Sequence, residues 1–153
     1  MKNNNTGIIL KPTNLYAIAV VSKYLVLALL ALILAIIFFN GLIFVSLGFT
    51  AYMWYKFLSI ISINYIISEE TIVVRTGILS RTFNSLELYR VKDYVTKQSV
   101  IMRIFNVMTI TLITMDETNP ILKIEGIPFS NIDETIRGLV QQNRRNNRIF
   151  ETI

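Results

Sequence analysis

The most constraining feature of this chain is a stretch of 32 residues, 24–55, that contains no Asp, Glu, Lys or Arg. It divides at residues 40–41 into two apolar legs, and Lys23 and Lys56 bracket it. The first leg, residues 24–39, is apolar on every helical face, so it lacks the polar face that a helix on a soluble core needs. The sequence therefore predicts a transmembrane helical hairpin.

Each leg rises roughly 24 Å at about 1.5 Å per residue, which is short of the roughly 30 Å hydrocarbon core. We expect the helices to continue past the two lysines, over residues 16–22 and 57–61. Both lysines then lie at similar depth, with their ammonium groups at the interface. Trp54 and Tyr55 stand at the same end of the second leg, where amphipathic rings anchor. With the lysines they form the predicted membrane-interface set.

Charge is distributed unevenly along the chain. Residues 1–56 carry four lysines and no acid, a net charge of +4, whereas residues 57–153 carry 11 basic and 10 acidic side chains, a net charge of +1. Because the basic excess flanks the hairpin and the turn has none, both termini are expected in the cytoplasm. The remaining part is nearly balanced, so no nucleic-acid partner is expected.

Two alternatives to a spanning hairpin stay open. A cleaved signal peptide also combines an N-terminal lysine with an apolar run, although this run is long, no A-x-A-like site closes it, and a second leg follows within two residues. The other alternative is a hairpin that enters and leaves one leaflet without spanning.

Composition excludes much chemistry. The chain has no Cys and no His, so thiol nucleophiles, imidazole bases, disulfides and Cys/His zinc sites are absent. No glycine stands in a phosphate-loop or dinucleotide spacing. The carboxylate pairs Asp116-Glu117 and Glu69-Glu70 have no basic, hydroxyl or histidine partner identifiable in the sequence. We therefore expect no catalytic residue, no metal site and no cofactor.

After residue 62 the pattern changes to short alternating runs, typical of strands with one buried face. Six strands are predicted, at residues 64–68, 71–75, 78–88, 89–99, 107–114 and 121–125. Residues 100–105 are expected to form a helical turn or an irregular crossover. Ser130 is the predicted N-cap of a final helix. The buried face of that helix comprises Ile132, Ile136, Leu139 and Val140.

Several short segments share their order and spacing with a known family: YII at 65–67, RTGILSR at 75–81, LELYRVKD at 86–93, RIF at 103–105 and IEGIP at 124–128. Through them, residues 64–140 resemble the membrane-anchored bacterial pleckstrin-homology-like (PH) domains. That family usually has glycine after R-x-F, where this chain has Asn106; asparagine also tolerates a left-handed backbone. The resemblance implies a strongly bent antiparallel β-sheet or partial barrel, with no catalytic residue to transfer.

The predicted fold class is an α+β membrane protein: an N-terminal two-helix transmembrane hairpin, then a PH-like bent antiparallel β-sheet capped by a C-terminal helix. The predicted divisions are an N-terminal cytoplasmic segment (1–15), the hairpin (16–62), the PH-like domain (63–141) and a basic tail (142–153). The predicted location is the bacterial cytoplasmic (inner) membrane, multi-pass, with both termini cytoplasmic.

The basic tail is one candidate site. Arg144, Arg145 and Arg148 are expected to meet anionic lipid headgroups, each contributing about 1 kcal/mol near a charged leaflet. The alternative is a solvated, partly frayed helix end whose arginines suit the helix dipole.

Arg90 and Lys92 on one strand form a second candidate surface for a lipid or protein partner. The alternative is an ordinary outer face with cross-strand ion pairs. Asp93 falls on the side that alternation assigns to Val91 and Val95, so we expect it to accept a hydrogen bond from a backbone donor in a bend.

Three functions are consistent with these patterns. The preferred one is a non-catalytic adaptor on the cytoplasmic face of the lipid bilayer that recruits a protein partner or lipid. The alternative is an oligomeric membrane effector or pore, gated by a small anionic ligand or a protein, in which Ala28, Ala31 and Ala35 allow helices of different copies to approach. An enzyme has the least support.

Overall fold

The computed structural model describes residues 7–39, 41–116 and 119–147. Within these residues the chain forms seven strands and four α-helices. In chain order they are β1 (Ile8–Leu10), α1 (Asn14–Ile37), α2 (Leu42–Ile61), β2 (Asn64–Ile67), β3 (Thr71–Thr76), β4 (Thr82–Glu87), β5 (Val91–Lys97), α3 (Val100–Ile104), β6 (Val107–Thr114), β7 (Ile121–Pro128) and α4 (Ile132–Asn146).

Helices α1 and α2 form the expected apolar hairpin. Thr13 caps α1, and its hydroxyl accepts a hydrogen bond of 3.2 Å from the Tyr16 N–H. The 24 residues of α1 and 20 residues of α2 correspond to lengths of about 36 and 30 Å. Their mean hydropathies are 2.7 and 1.3, so both helices have the length and composition of a membrane span. Asn40, in the predicted turn, lies outside the described residues.

Small side chains let the two helices approach closely. Ala28, Ala31 and Ala35 of α1 are buried, and so is Ser46 of α2. The Ser46 hydroxyl donates a 2.9 Å hydrogen bond to the Ala28 carbonyl, across the helix pair. The alanine face on which the sequence suggested contact between copies of the chain is therefore used inside one hairpin.

The strands form two antiparallel sheets, with orders β1-β2-β3-β4 and β5-β6-β7. Strand β1 was not predicted from the sequence, because three residues are too few to show an alternating pattern. Ile9 of β1 stands opposite Ile66 of β2, and the whole hairpin lies between these two strands in the sequence. The chain thus enters the first sheet, leaves it as the hairpin and returns as the neighbouring strand.

The hydrophobic core lies between the two sheets and α4. Ile132, Ile136 and Val140 of α4 are buried in it, as predicted. The prediction of Ser130 as N-cap is wrong, because Asn131 occupies that position and the Ser130 hydroxyl instead bonds the Pro128 carbonyl at 3.5 Å. The largest fully buried side chains from the strands and the turn between β4 and β5 are Ile67, Ile72, Leu86, Leu88, Met108, Ile110, Leu112, Ile124 and Ile127.

The alternation predicted for β5 fails at its start. The pairing with β6 shifts between Val91 and Asp93, a bulge that contains Lys92. An extra residue moves the following side chains to the opposite face, so Tyr94 packs against the core while Val95 is 38% exposed. The Asp93 carboxylate accepts a 2.8 Å hydrogen bond from the Tyr94 N–H, as expected for a structural role in a bend.

Asn106 and Gly126 adopt a left-handed backbone where the fold needs a sharp change of direction. Asn106, between α3 and β6, has φ of 52°, in line with the tolerance expected of asparagine at that position. Gly126 in β7 has φ of 68°, and a Cβ there would overlap the ring of Tyr16 in α1. Gly126 therefore permits the close approach of β7 to the start of the hairpin.

Gly126→Ala is expected to lower the free energy of unfolding by about 2 kcal/mol or more, since it combines left-handed strain with a clash against Tyr16. Gly138→Ala is the matched control: a Cβ there has nothing within 4 Å, and alanine should stabilise α4 by about 1 kcal/mol. Thermal unfolding followed by circular dichroism measures both. Unchanged stability of Gly126→Ala would contradict the packing of β7 on α1.

Candidate functional site

Both ends of the hairpin join the first sheet at the same end of its strands. Strand β1 ends at Leu10, just before α1, and β2 begins at Asn64, just after α2. Asn64 stands opposite Arg75 near the end of β3, so the loop between β3 and β4, residues 77–81, lies at this end of the sheet too. We call it the hairpin-side end.

The second sheet reaches the hairpin-side end through β7. The Thr13 N–H donates a 2.8 Å hydrogen bond to the Gly126 carbonyl. The Tyr16 hydroxyl donates to the Glu125 carboxylate at 3.3 Å, and the Tyr65 hydroxyl accepts from the Glu125 N–H at 3.1 Å. Burial raises the pKa of Tyr65, which keeps this hydroxyl protonated. These contacts tie the start of α1 to both sheets.

Lys23 and Lys56 are linked through two tyrosines. The Lys23 ammonium lies 5.0 Å from the ring centroid of Tyr24, and the Lys56 ammonium lies 5.6 Å from that of Tyr52. The two rings meet edge to face with centroids 5.0 Å apart. The lysines therefore stand at a similar height on the hairpin. With Glu125 they also line a cavity of about 370 Å³ between the hairpin and the second sheet.

Trp54 and Tyr55 are exposed on α2. The Trp54 indole packs edge to face against Phe57, with centroids 6.3 Å apart. The rings of Trp54 and Tyr55 therefore lie on the surface of the protein. Their contact with lipid stays a prediction.

A basic cavity of about 420 Å³ lies on the outer face of the first sheet at the hairpin-side end. Its cations are Lys11, Arg75 and Arg81. The guanidinium of Arg75 lies 5.4 Å from the ring centroid of Phe83. This cavity was not predicted from the sequence. The sequence feature that could have indicated it is the pair Arg75 and Arg81 on either side of the glycine turn in RTGILSR. Its other lining residues are Ile9, Ser62, Asn64, Ile66, Thr76, Gly77, Ile78 and Phe83.

The predicted basic tail is partly docked on the domain. Helix α4 continues to Asn146, and the Asn143 amide donates a 2.6 Å hydrogen bond to the Glu69 carbonyl. The Arg144 guanidinium donates to the carbonyls of Val91 and Lys92 at 2.7 and 3.1 Å. Arg145 is exposed.

The structure thus brings Arg144 beside Lys92, joining the two candidate sets predicted from the sequence. Val91 pairs with Thr114 at the end of β6, whereas the start of β6 pairs with Pro128. Arg144 and Lys92 therefore lie at the end of the second sheet away from the hairpin. Arg148 lies outside the described residues. A headgroup contact for these residues stays a prediction.

Arg90 takes part in ion pairs at the same far end. Its guanidinium lies 2.9 Å from the Glu87 carboxylate and 3.7 Å from the Asp116 carboxylate. This is the arrangement expected of an ordinary outer face, and it supplies the basic partner for Asp116 that the sequence did not reveal. Lys92 is exposed, and Glu117 lies outside the described residues.

Within residues 7–39, 41–116 and 119–147, no group of three or more carboxylates converges in a way that could hold a metal ion. The groups that the described surface presents for binding include cations and exposed apolar side chains.

Arg144→Gln is expected to lower the free energy of unfolding by about 2 kcal/mol, because it removes charged hydrogen bonds to two carbonyls. Arg145→Gln is the matched control: the side chain is exposed, so its loss should change stability by less than about 0.5 kcal/mol. Chemical unfolding of the purified protein separates the two. Equal effects would mean that the docking of Arg144 contributes nothing to stability.

Comparison with known proteins gives a family for this chain. The family model described as bacterial PH domain matches residues 10–144, from the last residue of β1 into the last turn of α4. No curated protein and no solved structure matches the chain. The matched range covers most of the sequence, the hairpin included. The chain therefore belongs to the bacterial PH domain family.

Proposed function

We propose that this protein is a non-catalytic interaction module, anchored in the bacterial inner membrane by α1 and α2, whose β-domain recruits a protein partner or lipid on the cytoplasmic face. The observation that carries the proposal is the position of the hairpin between β1 and β2. An anchor built into a sheet holds the domain at a defined height and orientation, whereas a flexible linker would leave both free.

Helix length supports this arrangement. Helix α1 is about 36 Å long and exceeds the roughly 30 Å hydrocarbon core by about 6 Å. In this proposal the excess lies at the start of α1, which would put Thr13, and with it the hairpin-side end, at the level of the lipid headgroups. The domain would then rest on the bilayer surface, and weak contacts to lipid would act at high effective concentration.

Exposed apolar side chains at the hairpin-side end support an interaction role. Val100 and Ile104 of α3 are 73% and 74% exposed, and Phe129 is 52% exposed. The Phe129 N–H bonds the Asn106 carbonyl at 2.9 Å, so these side chains share one end of the second sheet. Apolar groups exposed together typically contact a partner or the membrane interface.

The oligomeric effector is the weaker proposal. Its sequence support was the alanine face of α1, and Ala28, Ala31 and Ala35 are buried inside one hairpin. Assembly into a pore would need a different face of the hairpin. We do not propose a catalytic role.

The anchored topology can be tested with single cysteines, since the natural chain has none. A cysteine at Leu42, beside the turn, is expected to react with a membrane-impermeant maleimide in intact spheroplasts. One at Thr96, exposed on β5, should react only after permeabilisation. Labelling of Thr96→Cys in intact spheroplasts would reverse the orientation, and protection of Leu42→Cys would point to a hairpin confined to one leaflet.

The adaptor role is tested by the mass of the full-length protein, extracted gently from its native cells and analysed by light scattering. We expect a monomer or dimer with a stoichiometric protein partner or bound lipid. Val100→Ser/Ile104→Ser is expected to weaken partner retention, with Lys123→Gln as an exposed control on β7. A closed homo-oligomer without a partner would overturn the adaptor in favour of the effector.

A further inference from the structure

Three cations surround the basic cavity from three separate segments. Lys11 lies between β1 and α1, Arg75 is in β3, and Arg81 precedes β4. Among the described residues, no carboxylate lines this cavity and none pairs with these three side chains. Arg90, at the far end, instead has two carboxylates beside it. Cations that lie close together without neighbouring carboxylates create a positive potential that favours the binding of an anion.

The chemistry of the three cations suits a phosphate. A guanidinium presents a planar fork of donors that matches phosphate oxygens, and an ammonium adds a compact point charge. The Arg75 guanidinium lies 5.4 Å from the ring centroid of Phe83, a cation–π contact between two residues that line the cavity. Thr76 adds a hydroxyl to the cavity wall.

An apolar tip projects beside the cations. Gly77 has φ of 110° and begins a sharp turn, so β4 starts at Thr82 and not at residue 78 as predicted. Only glycine fits at this position, because a Cβ there would overlap the Ser80 carbonyl. The turn presents Leu79, which is 100% exposed, next to Ile78. A fully exposed leucine gains free energy when it enters a membrane interface.

The cavity also adjoins both ends of the hairpin. Lys11 precedes α1 by three residues, and Ser62, which ends α2, lines the cavity. The cations therefore lie at the height where the proposed anchoring puts the phosphates of the inner leaflet.

We propose that Lys11, Arg75 and Arg81 bind the phosphate of an anionic phospholipid while Leu79 enters the same leaflet beside it. The inference rests on the proposed membrane anchoring and adds a ligand class and a site to it. The shared chemistry is a phosphate group; the lipid source is favoured because the cavity joins the hairpin and an exposed leucine flanks it.

The test uses full-length protein in phosphatidylcholine nanodiscs that contain increasing fractions of phosphatidylglycerol, with bound lipid counted by native mass spectrometry. Arg75→Gln/Arg81→Gln is expected to weaken retention of phosphatidylglycerol about 30-fold, from the loss of two cations at an anionic surface. Lys97→Gln/Lys123→Gln removes the same charge from exposed positions of the second sheet and should retain the lipid as the natural protein does.

Two further variants guard against misfolding. Arg75→Lys/Arg81→Lys keeps the charge and should restore most of the retention. Leu79→Ser changes a side chain that is fully exposed, so it should leave thermal unfolding unchanged while weakening retention. Circular dichroism melts verify the fold of each variant.

The outcomes are distinct. Equal loss in the arginine and lysine pairs, or no loss in either, overturns the site, because general surface charge would then account for binding. Saturable binding of inorganic phosphate in pure phosphatidylcholine discs, together with displacement of phosphatidylglycerol by inorganic phosphate in the mixed discs, overturns the lipid source in favour of a free phosphate ligand. Failure of the natural protein to insert into nanodiscs counts against the proposed anchoring, whereas insertion without discrimination among variants sinks this inference alone.

Discussion

The backbone pairing of β1 with β2 is the contact on which the rest of this structure depends. Only three residues of β1 take part, yet they place the chain in the first sheet before a 48-residue excursion, residues 14–61, that contains α1 and α2 and leads back to β2. The hydrogen bonds of Thr13 to Gly126 and of Tyr16 to Glu125 then attach the start of α1 to β7 of the second sheet. The hairpin is consequently a part of the β-domain, with little freedom to swing at its base.

The cations at the two ends of the domain differ in whether the protein itself provides their partners. At the far end, Arg90 lies beside two carboxylates and Arg144 donates to backbone carbonyls, so these cations contribute to the fold. At the hairpin-side end, Lys11 and Arg81 have no carboxylate beside them among the described residues. A charge that the fold does not compensate is a better indicator of a binding surface than a count of basic residues along the sequence.

The sequence predicted the parts of the fold that follow from local pattern. Uniform apolarity identified the hairpin, alternation identified most strands, and the spacing of Ile132, Ile136 and Val140 identified the buried face of α4. It missed β1, whose three residues carry no periodicity, and the bulge at Lys92, which depends on pairing with a distant strand.

The candidate site was harder to predict for the same physical reason. Lys11 and Arg81 are 70 positions apart in the sequence, and they line one cavity only because β1 and β4 belong to one sheet. Arg144 and Arg145 lie in the last turn of α4, but the carbonyl partners of Arg144 come from a segment more than 50 residues earlier. The position of β1 also has a kinetic consequence: Ile9 leaves the ribosome long before its partner Ile66. β1 cannot join the first sheet until both helices and β2 have been synthesised. Such non-local pairing slows folding, so completion of the first sheet waits for the synthesis of α1 and α2.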